Sequence, residues 1–199
     1  QEVHGLTHEV RAELEALLPG WIVLYSPAVN SDDGTDNPGA GGNATLICPF
    51  LAASSCIEHN VLVPGRAQWV TLSFSASVLN IFNIHNFDLS ANVVHFVVGR
   101  IKECADRDKL LPSNRCTFVL GDWNFLLPFE APFHLGSTQD TESLSQNDRS
   151  SGSRAGLWEN VLDELVELHQ PLPTHFNVDA LSVSRLSRAY TSLPGSLLV

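Results

Sequence analysis

The sequence contains no methionine, and its 199 residues begin with Gln1. Because translation starts at methionine, we expect the chain to be a fragment or a processed piece of a longer protein. Its apolar runs are too short to cross a bilayer, and its first residues do not form a secretory signal peptide. The sequence therefore indicates neither a membrane-spanning protein nor a secreted one.

Basic residues are also few, since 11 Lys and Arg stand against 22 Asp and Glu, for a formal net charge of -11. Such a surface opposes non-specific attraction to nucleic acid. It does not exclude a nucleic-acid enzyme, because a divalent metal ion in the site reverses the local field. With 44% hydrophobic and 17% charged residues, the chain suits one globular domain with a sizeable core.

The four cysteines form no C-x-x-C pair, so neither a zinc knuckle nor a redox motif is indicated. They stand far apart, at Cys48, Cys56, Cys104 and Cys116. We interpret them as reduced thiols in or near the core of an intracellular protein.

The spacing of apolar residues predicts three amphipathic helices, around 10–18, 93–104 and 157–168, with Ser90 capping the second. Runs of β-favouring residues predict strands at 21–25, 45–48, 61–63, 69–74, 78–84, 117–120, 174–176 and 185–191. Residues 30–42 are loop-forming, and residues 136–156, rich in Ser, Gly, Asp and Gln, are predicted to form a mobile surface insertion. Strands mixed with separated helices favour α/β or α+β layers over a helical bundle.

One stretch combines a strand signal with polar chemistry. Residues 117–120, Thr-Phe-Val-Leu, predict a short buried strand, and Gly121 is expected to let the backbone turn at its end. Asp122 and Asn124 then stand two apart, so they project to the same side in extended chain. A carboxylate and a carboxamide suit a metal-bound water and a phosphate oxygen. From this stretch alone, an Asp-Trp-Asn loop that caps a strand is an equally good interpretation.

Further polar residues fall at predicted strand ends or at the start of the chain. They are Glu2, the pair His85 and Asn86, and the arginines Arg185 and Arg188. Each has a plain structural alternative: a solvated terminal carboxylate, a half-buried strand-end imidazole bonded to backbone, and charges on an edge strand. The residues alone do not decide between these alternatives and a functional site.

Seven segments in this order resemble the endonuclease/exonuclease/phosphatase superfamily, and within it the apurinic-type endonuclease domain of non-LTR retroelements. They span nearly the whole chain. The segments are Gln1-Glu2-Val3-His4, Gly41-Gly42-Asn43-Ala44, Pro64-Gly65-Arg66, Asn83-Ile84-His85-Asn86, Gly121-Asp122-Trp123-Asn124, Thr174-His175-Phe176 and Ser184-Arg185-Leu186-Ser187-Arg188-Ala189-Tyr190.

The resemblance implies a DNase I-like α/β fold, a four-layer α/β/β/α sandwich of two mixed sheets, formed by residues 1–199 as a single but incomplete domain. It also implies phosphodiester hydrolysis with Mg²⁺ or Mn²⁺ at one edge of the sandwich. Glu2 matches the metal-binding glutamate, and Asp122 matches the aspartate that activates or orients water. Asn124 matches the residue that holds the scissile phosphate, and His85 stands where relatives place a His or Tyr beside it.

The same resemblance suggests substrate contacts and partners. Asn86, Arg185 and Arg188 are candidates for binding phosphate. The implied partner is nucleic acid, DNA above all, with no membrane. The implied context is a longer polyprotein that includes a reverse transcriptase and resides in the nucleus.

Three departures from the family pattern bear on activity. The chain has no strand before Gln1-Glu2 to carry the family's active-site Asn, and it contains no Ser-Asp-His motif. Ser187 stands where the family has an Asp, and a hydroxyl cannot supply the charge that steadies an imidazolium. We therefore expect a truncated domain with most of a metal–phosphate site and little activity alone. A non-catalytic remnant or interaction module, and a phosphatase or RNA exonuclease, remain alternatives.

Overall fold

The computed structural model describes residues 8–27, 29, 35, 37, 41–112, 114–123, 133–134, 148–170, 175–177, 182–184 and 187–197. In these ranges the helices are α1 (His8–Leu17), α2 (Pro49–Ser54), α3 (Ala91–Leu110) and α4 (Asp148–Leu162), with a short 3₁₀ helix at Gly195–Leu197. The strands are β1 (Ile22–Pro27), β2 (Gly42–Ile47), β3 (Cys56–Val63), β4 (Ala67–Ser73), β5 (Val78–His85), β6 (Arg115–Asp122), β7 (Phe133–His134), β8 (Val166–Leu168), β9 (His175–Asn177), β10 (Ser182–Ser184) and β11 (Ser187–Thr191).

Six strands form the main sheet, in the order β3-β4-β5-β6-β11-β8. Its neighbours are antiparallel except β5 and β6, which run parallel. Parallel strands need a crossover connection, and α3 supplies it between β5 and β6. Consequently β5 and β6 end at the same edge of the sheet.

Helix α3 forms because a cap and an apolar stripe act together. The Ser90 hydroxyl accepts a hydrogen bond from Val93 N at 3.4 Å, which confirms the predicted N-cap. Val94, Val97 and Ile101 are fully buried against the main sheet and α4. Among the described helices, none is both long and apolar enough to cross a membrane.

A second, two-stranded sheet covers the other face of the main sheet. Strands β1 and β2 are antiparallel, and Ile47 packs against Val70 and Leu72 of β4. On β1, Leu24 joins this inner cluster, whereas the next residue, Tyr25, lies under the Arg11 guanidinium of α1 at 4.6 Å. The layers therefore follow as α1, two-stranded sheet, six-stranded sheet, and α3 with α4, which confirms the predicted α/β sandwich.

A buried polar network joins the two sheets. Asn43 Nδ2 of β2 donates to the Asn83 carbonyl of β5 at 2.8 Å, and Asn83 Nδ2 donates to the Ala44 carbonyl at 2.8 Å. Gln68 Nε2 of β4 donates to Thr45 Oγ1 at 3.0 Å. Burying an amide group costs free energy unless the group is hydrogen-bonded. These hydrogen bonds therefore fix the position of β2 against β4 and β5.

Two sequence predictions about the second half of the chain differ from the structure. Helix α4 begins at Asp148, so part of the predicted 136–156 insertion is helical, while residues 135–147 lie outside the described ranges. The third predicted helix was also too long, because Val166–Leu168 forms strand β8 and pairs with β11. Pairing with a distant strand overrides the helical spacing of the leucines.

The cysteines occupy different environments. Cys104 is buried on α3, and this burial raises the pKa of its thiol to about 11, so it stays protonated at neutral pH. Burial also raises the pKa of Cys116. Cys56 is exposed on β3, at the edge of the sheet, so the expectation of a near-core thiol was wrong for this residue.

Candidate active site

A row of polar residues crosses one edge of the main sheet. His85 ends β5, Asp122 ends β6, and the two are paired in register on these parallel strands. Ser187, the first residue of β11, is paired with Asp122 on its other side. Paired residues on strands about 4.8 Å apart project from the same face, so these three side chains are neighbours. The structure thus brings together two of the predicted catalytic residues, which come from segments far apart in the chain.

Arg66 extends this row past His85. The His85 N–H donates to the Arg66 carbonyl at 2.7 Å, and Arg66 Nη1 lies 2.8 Å from His85 Nδ1. Phe87 supports both, since its ring lies 5.0 Å from the guanidinium carbon and 5.8 Å from the imidazole centroid. We call Arg66, His85, Asp122 and Ser187 the edge row.

The turn that carries Arg66 is held from the second sheet. Gly65 adopts φ +66, a left-handed conformation that glycine tolerates, and its N–H donates to the buried Ser26 hydroxyl of β1 at 2.8 Å. Asn43 Nδ2 of β2 lies 3.4 Å from the Arg66 carbonyl. Sequence reasoning missed Arg66 as a site residue, although the turn Pro64-Gly65-Arg66 precedes a strand predicted to lie in the same sheet.

Asn86, predicted to bind substrate, lies behind the edge row. It is buried, its Nδ2 donates to the Trp123 carbonyl at 2.7 Å, and its Oδ1 accepts from Trp158 Nε1 at 3.2 Å. Its backbone N–H donates to the Asp122 carbonyl at 2.8 Å. These contacts give Asn86 the role of fixing the chain around Asp122, and its contact with phosphate stays a prediction.

Arg188 is not part of the edge row. It is paired with Gly121, one residue from the Ser187–Asp122 pair, so its side chain projects from the opposite, helix-covered face. It is also buried. The other predicted site residues, Glu2, Asn124 and Arg185, lie outside the described residues.

Gly121 does not form the predicted turn; its lack of a side chain lets β5 and β6 approach each other closely. It lies within β6, and its φ is not among the positive values of the chain's described glycines. A Cβ at this position would lie 2.6 Å from the Ile84 carbonyl oxygen and 3.3 Å from Ile84 Cβ. Glycine is therefore required for the close approach of β5 and β6, one residue before His85 and Asp122.

Gly121→Ala is expected to lower the free energy of unfolding by about 1–3 kcal/mol, the usual cost of overpacking. Urea unfolding followed by circular dichroism measures the change. Gly99→Ala on α3 is the matched control, because nothing lies within 4 Å of its added methyl group, and alanine in a helix stabilises by up to about 1 kcal/mol. Equal effects of the two substitutions would show that the strands tolerate a side chain here.

The side chains that could coordinate the predicted metal ion are few among the described residues. Among the described residues there is no group of three or more His, Cys, Asp or Glu side chains placed to hold one. Mg²⁺ needs fewer, since it takes one or two carboxylates and completes its shell with water and phosphate. The Asp122 carboxylate is a hard oxygen donor of the right kind, and Glu2, outside the described residues, is the predicted second one.

A cavity of about 440 Å³ opens beside the edge row, between the two sheets. Its walls include Ala44, Thr45 and Leu46 of β2 and Asn83, Leu120 and Ala189 of the main sheet. Asn83 Oδ1 is a buried acceptor without a hydrogen-bond partner among the described residues. Leu120 and Ala189 lie two residues from Asp122 and Ser187, so the cavity and the edge row share one face of the sheet.

Comparisons with known proteins place this geometry in a fold. No family model and no curated protein matches the sequence. An endonuclease/exonuclease/phosphatase from Bacteroides vulgatus superposes with a TM-score of 0.55 and 12% identity, over 96% of this chain and 71% of that one. The endonuclease domain of TRAS1, a telomere-specific non-LTR retrotransposon, gives a TM-score of 0.50 and 15% identity, over 90% and 67%. The chain therefore has the α/β sandwich fold of the endonuclease/exonuclease/phosphatase proteins, as its sequence predicted.

Proposed function

We propose that this chain carries the site of a metal-dependent phosphodiesterase that nicks DNA. The observation that carries the proposal is the in-register pairing of His85 with Asp122 at one edge of the main sheet. Phosphodiester hydrolysis requires a base that takes the proton of water and a donor that stabilises the charge developing on phosphate. The Asp122 carboxylate can act as the base, and His85 can act as the hydrogen-bond donor.

Each residue of the edge row has a role in this proposal. Asp122 orients the attacking water and takes its proton as the water oxygen bonds to phosphorus and the leaving oxygen departs. His85 donates a hydrogen bond to a phosphate oxygen as negative charge builds. Glu2 is the residue predicted to hold Mg²⁺ together with water, and the ion would supply further charge stabilisation at the phosphate when bound. The adjoining cavity gives room for a group next to the scissile phosphate.

The choice of DNA rests on one comparison, and the charge of the chain sets a condition on it. A TM-score of 0.50 with the endonuclease domain of a telomere-specific non-LTR retrotransposon supports a nicking enzyme. A reverse transcriptase in the same polyprotein and work in the nucleus are implied by the sequence resemblance alone. The net charge of -11 opposes tight duplex binding in the absence of metal, so binding and hydrolysis should both depend on the divalent ion.

Metal removal tests the proposal. Because the sequence lacks the Ser-Asp-His motif, the chain is expected to nick supercoiled plasmid only slowly in Mg²⁺ or Mn²⁺. This slow nicking should fall to the background rate in EDTA and recover when excess Mg²⁺ is added. Gel electrophoresis of the nicked circle measures the rate, and a phosphate monoester assayed in parallel distinguishes a phosphatase. Nicking that persists in EDTA would contradict a metal-dependent mechanism.

Ser187 favours a second candidate, a non-catalytic module of the same fold. It is paired with Asp122, so the edge row has a hydroxyl where the family resemblance expects a carboxylate. In this case the chain would bind plasmid in Mg²⁺ without nicking it at any enzyme concentration. That result would overturn the catalytic proposal and support the module.

A further inference from the structure

In the hydrogen bond between Arg66 and His85, only Arg66 can be the donor. A guanidinium has five N–H donors, has no acceptor and stays charged. His85 Nδ1, 2.8 Å from Arg66 Nη1, must therefore accept the hydrogen bond with its lone pair. A neutral imidazole carries one proton, so the proton of His85 is on Nε2.

We propose that Arg66 is a positioning residue that holds His85 as its neutral Nε2–H tautomer, so that the imidazole enters the reaction as a hydrogen-bond donor. This inference rests on the proposed function only for its catalytic consequence. The tautomer itself follows from the contact between the two side chains.

Further contacts hold the two residues of this hydrogen bond next to each other. His85 is only 4% exposed, and its backbone N–H is bonded to the Arg66 carbonyl. That carbonyl also lies within reach of Asn43 Nδ2, at 3.4 Å. Phe87 lies against both side chains, under the guanidinium and stacked on the imidazole at an interplanar angle of 21°. Because these contacts hold the two residues side by side, they keep the guanidinium next to the imidazole.

The tautomer separates the roles in the edge row. With Nδ1 engaged by Arg66, the ring nitrogen that can donate a hydrogen bond to a substrate is Nε2, and this protonated nitrogen cannot accept a proton. Asp122, paired with His85 on the next strand, is then the group of this pair that can take the proton of water. Loss of the Arg66 donor should let both tautomers form and weaken the donation to phosphate.

Nitrogen NMR of the whole chain tests the tautomer directly. Long-range proton–nitrogen spectra of the protein labelled at its histidine rings distinguish protonated from unprotonated ring nitrogens, and loss of one set of signals in His85→Gln assigns the residue. The wild type should show His85 with its proton on Nε2. Arg66→Met, which keeps the length and removes the donors, should give a mixture, whereas Arg66→Lys should retain the Nε2–H form.

Arg100→Met is the matched control. Arg100 also lies over a phenylalanine, Phe96 at 5.5 Å, but on the exposed surface of α3, so the His85 signals should not change. In hydrolysis, Arg66→Met should lower kcat by about 10- to 100-fold with little change in KM, as for other groups that orient a site residue, and Arg66→Lys should recover part of it.

Two outcomes would overturn the inference: a proton on Nδ1 in the wild type, or an unchanged His85 spectrum in folded Arg66→Met. If Arg66→Met does not fold, a lost Nε2–H signal in folded Arg66→Lys would count equally against it. The spectra need no turnover. An inactive chain with the Nε2–H tautomer would therefore overturn the proposed function and leave the Arg66 contact standing.

Discussion

Asp122→Asn is expected to lower Mg²⁺-dependent plasmid nicking by about 10²- to 10⁴-fold, the usual contribution of a general base. The substitution keeps the shape of the side chain and removes its basicity. It also keeps the backbone of β6, where the Asp122 carbonyl accepts from the Asn86 N–H at 2.8 Å. Folding should therefore be unaffected, and the loss should appear in kcat.

Asp106→Asn is the control for this prediction. It makes the same chemical change and the same change in net charge, but Asp106 is exposed on α3, where it pairs with Lys109 at 3.1 Å. Its nicking rate should match the wild type. Single-turnover nicking with saturating enzyme compares the three proteins, and circular dichroism checks that each is folded. A wild-type rate in Asp122→Asn would remove Asp122 from the mechanism.

Trp158→Ala is expected to lower the free energy of unfolding by about 3–5 kcal/mol. Trp158 is fully buried and meets Trp123 edge to face, with ring centroids 5.0 Å apart. Truncation leaves a cavity in the core and also takes the indole donor from the buried Asn86 Oδ1. An acceptor left unsatisfied inside a protein adds its own penalty of about 1–3 kcal/mol.

Urea unfolding measures this loss, with two variants for comparison. Trp158→Phe keeps most of the volume and removes only the N–H, so it should cost less than the alanine variant. Phe50→Ala removes an aromatic ring that is 78% exposed on α2, and its effect should stay within about 0.5 kcal/mol. A loss below about 1 kcal/mol in Trp158→Ala would mean that α4 contributes little to the core.

The parts of the fold that the sequence predicted are those with strong local signals. Strands β4, β5 and β6 alternate or carry β-branched runs, and α3 has both a cap and a stripe, so local physics determines them. Strand β8 was missed because Leu165 and Leu168 keep a helical spacing. Only the pairing of Val166–Leu168 with β11, across the intervening chain, makes that segment a strand.

In the candidate site, too, the contacts of single residues that depend on strand pairing could not be predicted from local sequence. The meeting of His85 and Asp122 at one edge was implied by the family resemblance, with both residues at predicted strand ends. The face on which Arg188 lies could not be predicted, because a shift of one residue along a strand moves a side chain to the other face and sequence spacing does not determine this register. Its contact with phosphate stays a prediction. Arg66 was missed because its contact with His85 depends on the pairing of β4 with β5. The sequence around Arg66 does not determine that pairing.

The Asn43 carboxamide joins the second sheet to the edge row, since its Nδ2 lies 2.8 Å from the Asn83 carbonyl and 3.4 Å from the Arg66 carbonyl. One amide group thus links the second sheet to the backbone at Arg66 and to β5 at the same time. The Arg66 carbonyl also accepts from the His85 N–H at 2.7 Å, so sliding of one sheet over the other would disturb the backbone that holds His85. Because both acceptors are backbone carbonyls, this link depends on the amide at position 43 and not on which side chains stand at positions 66 and 83.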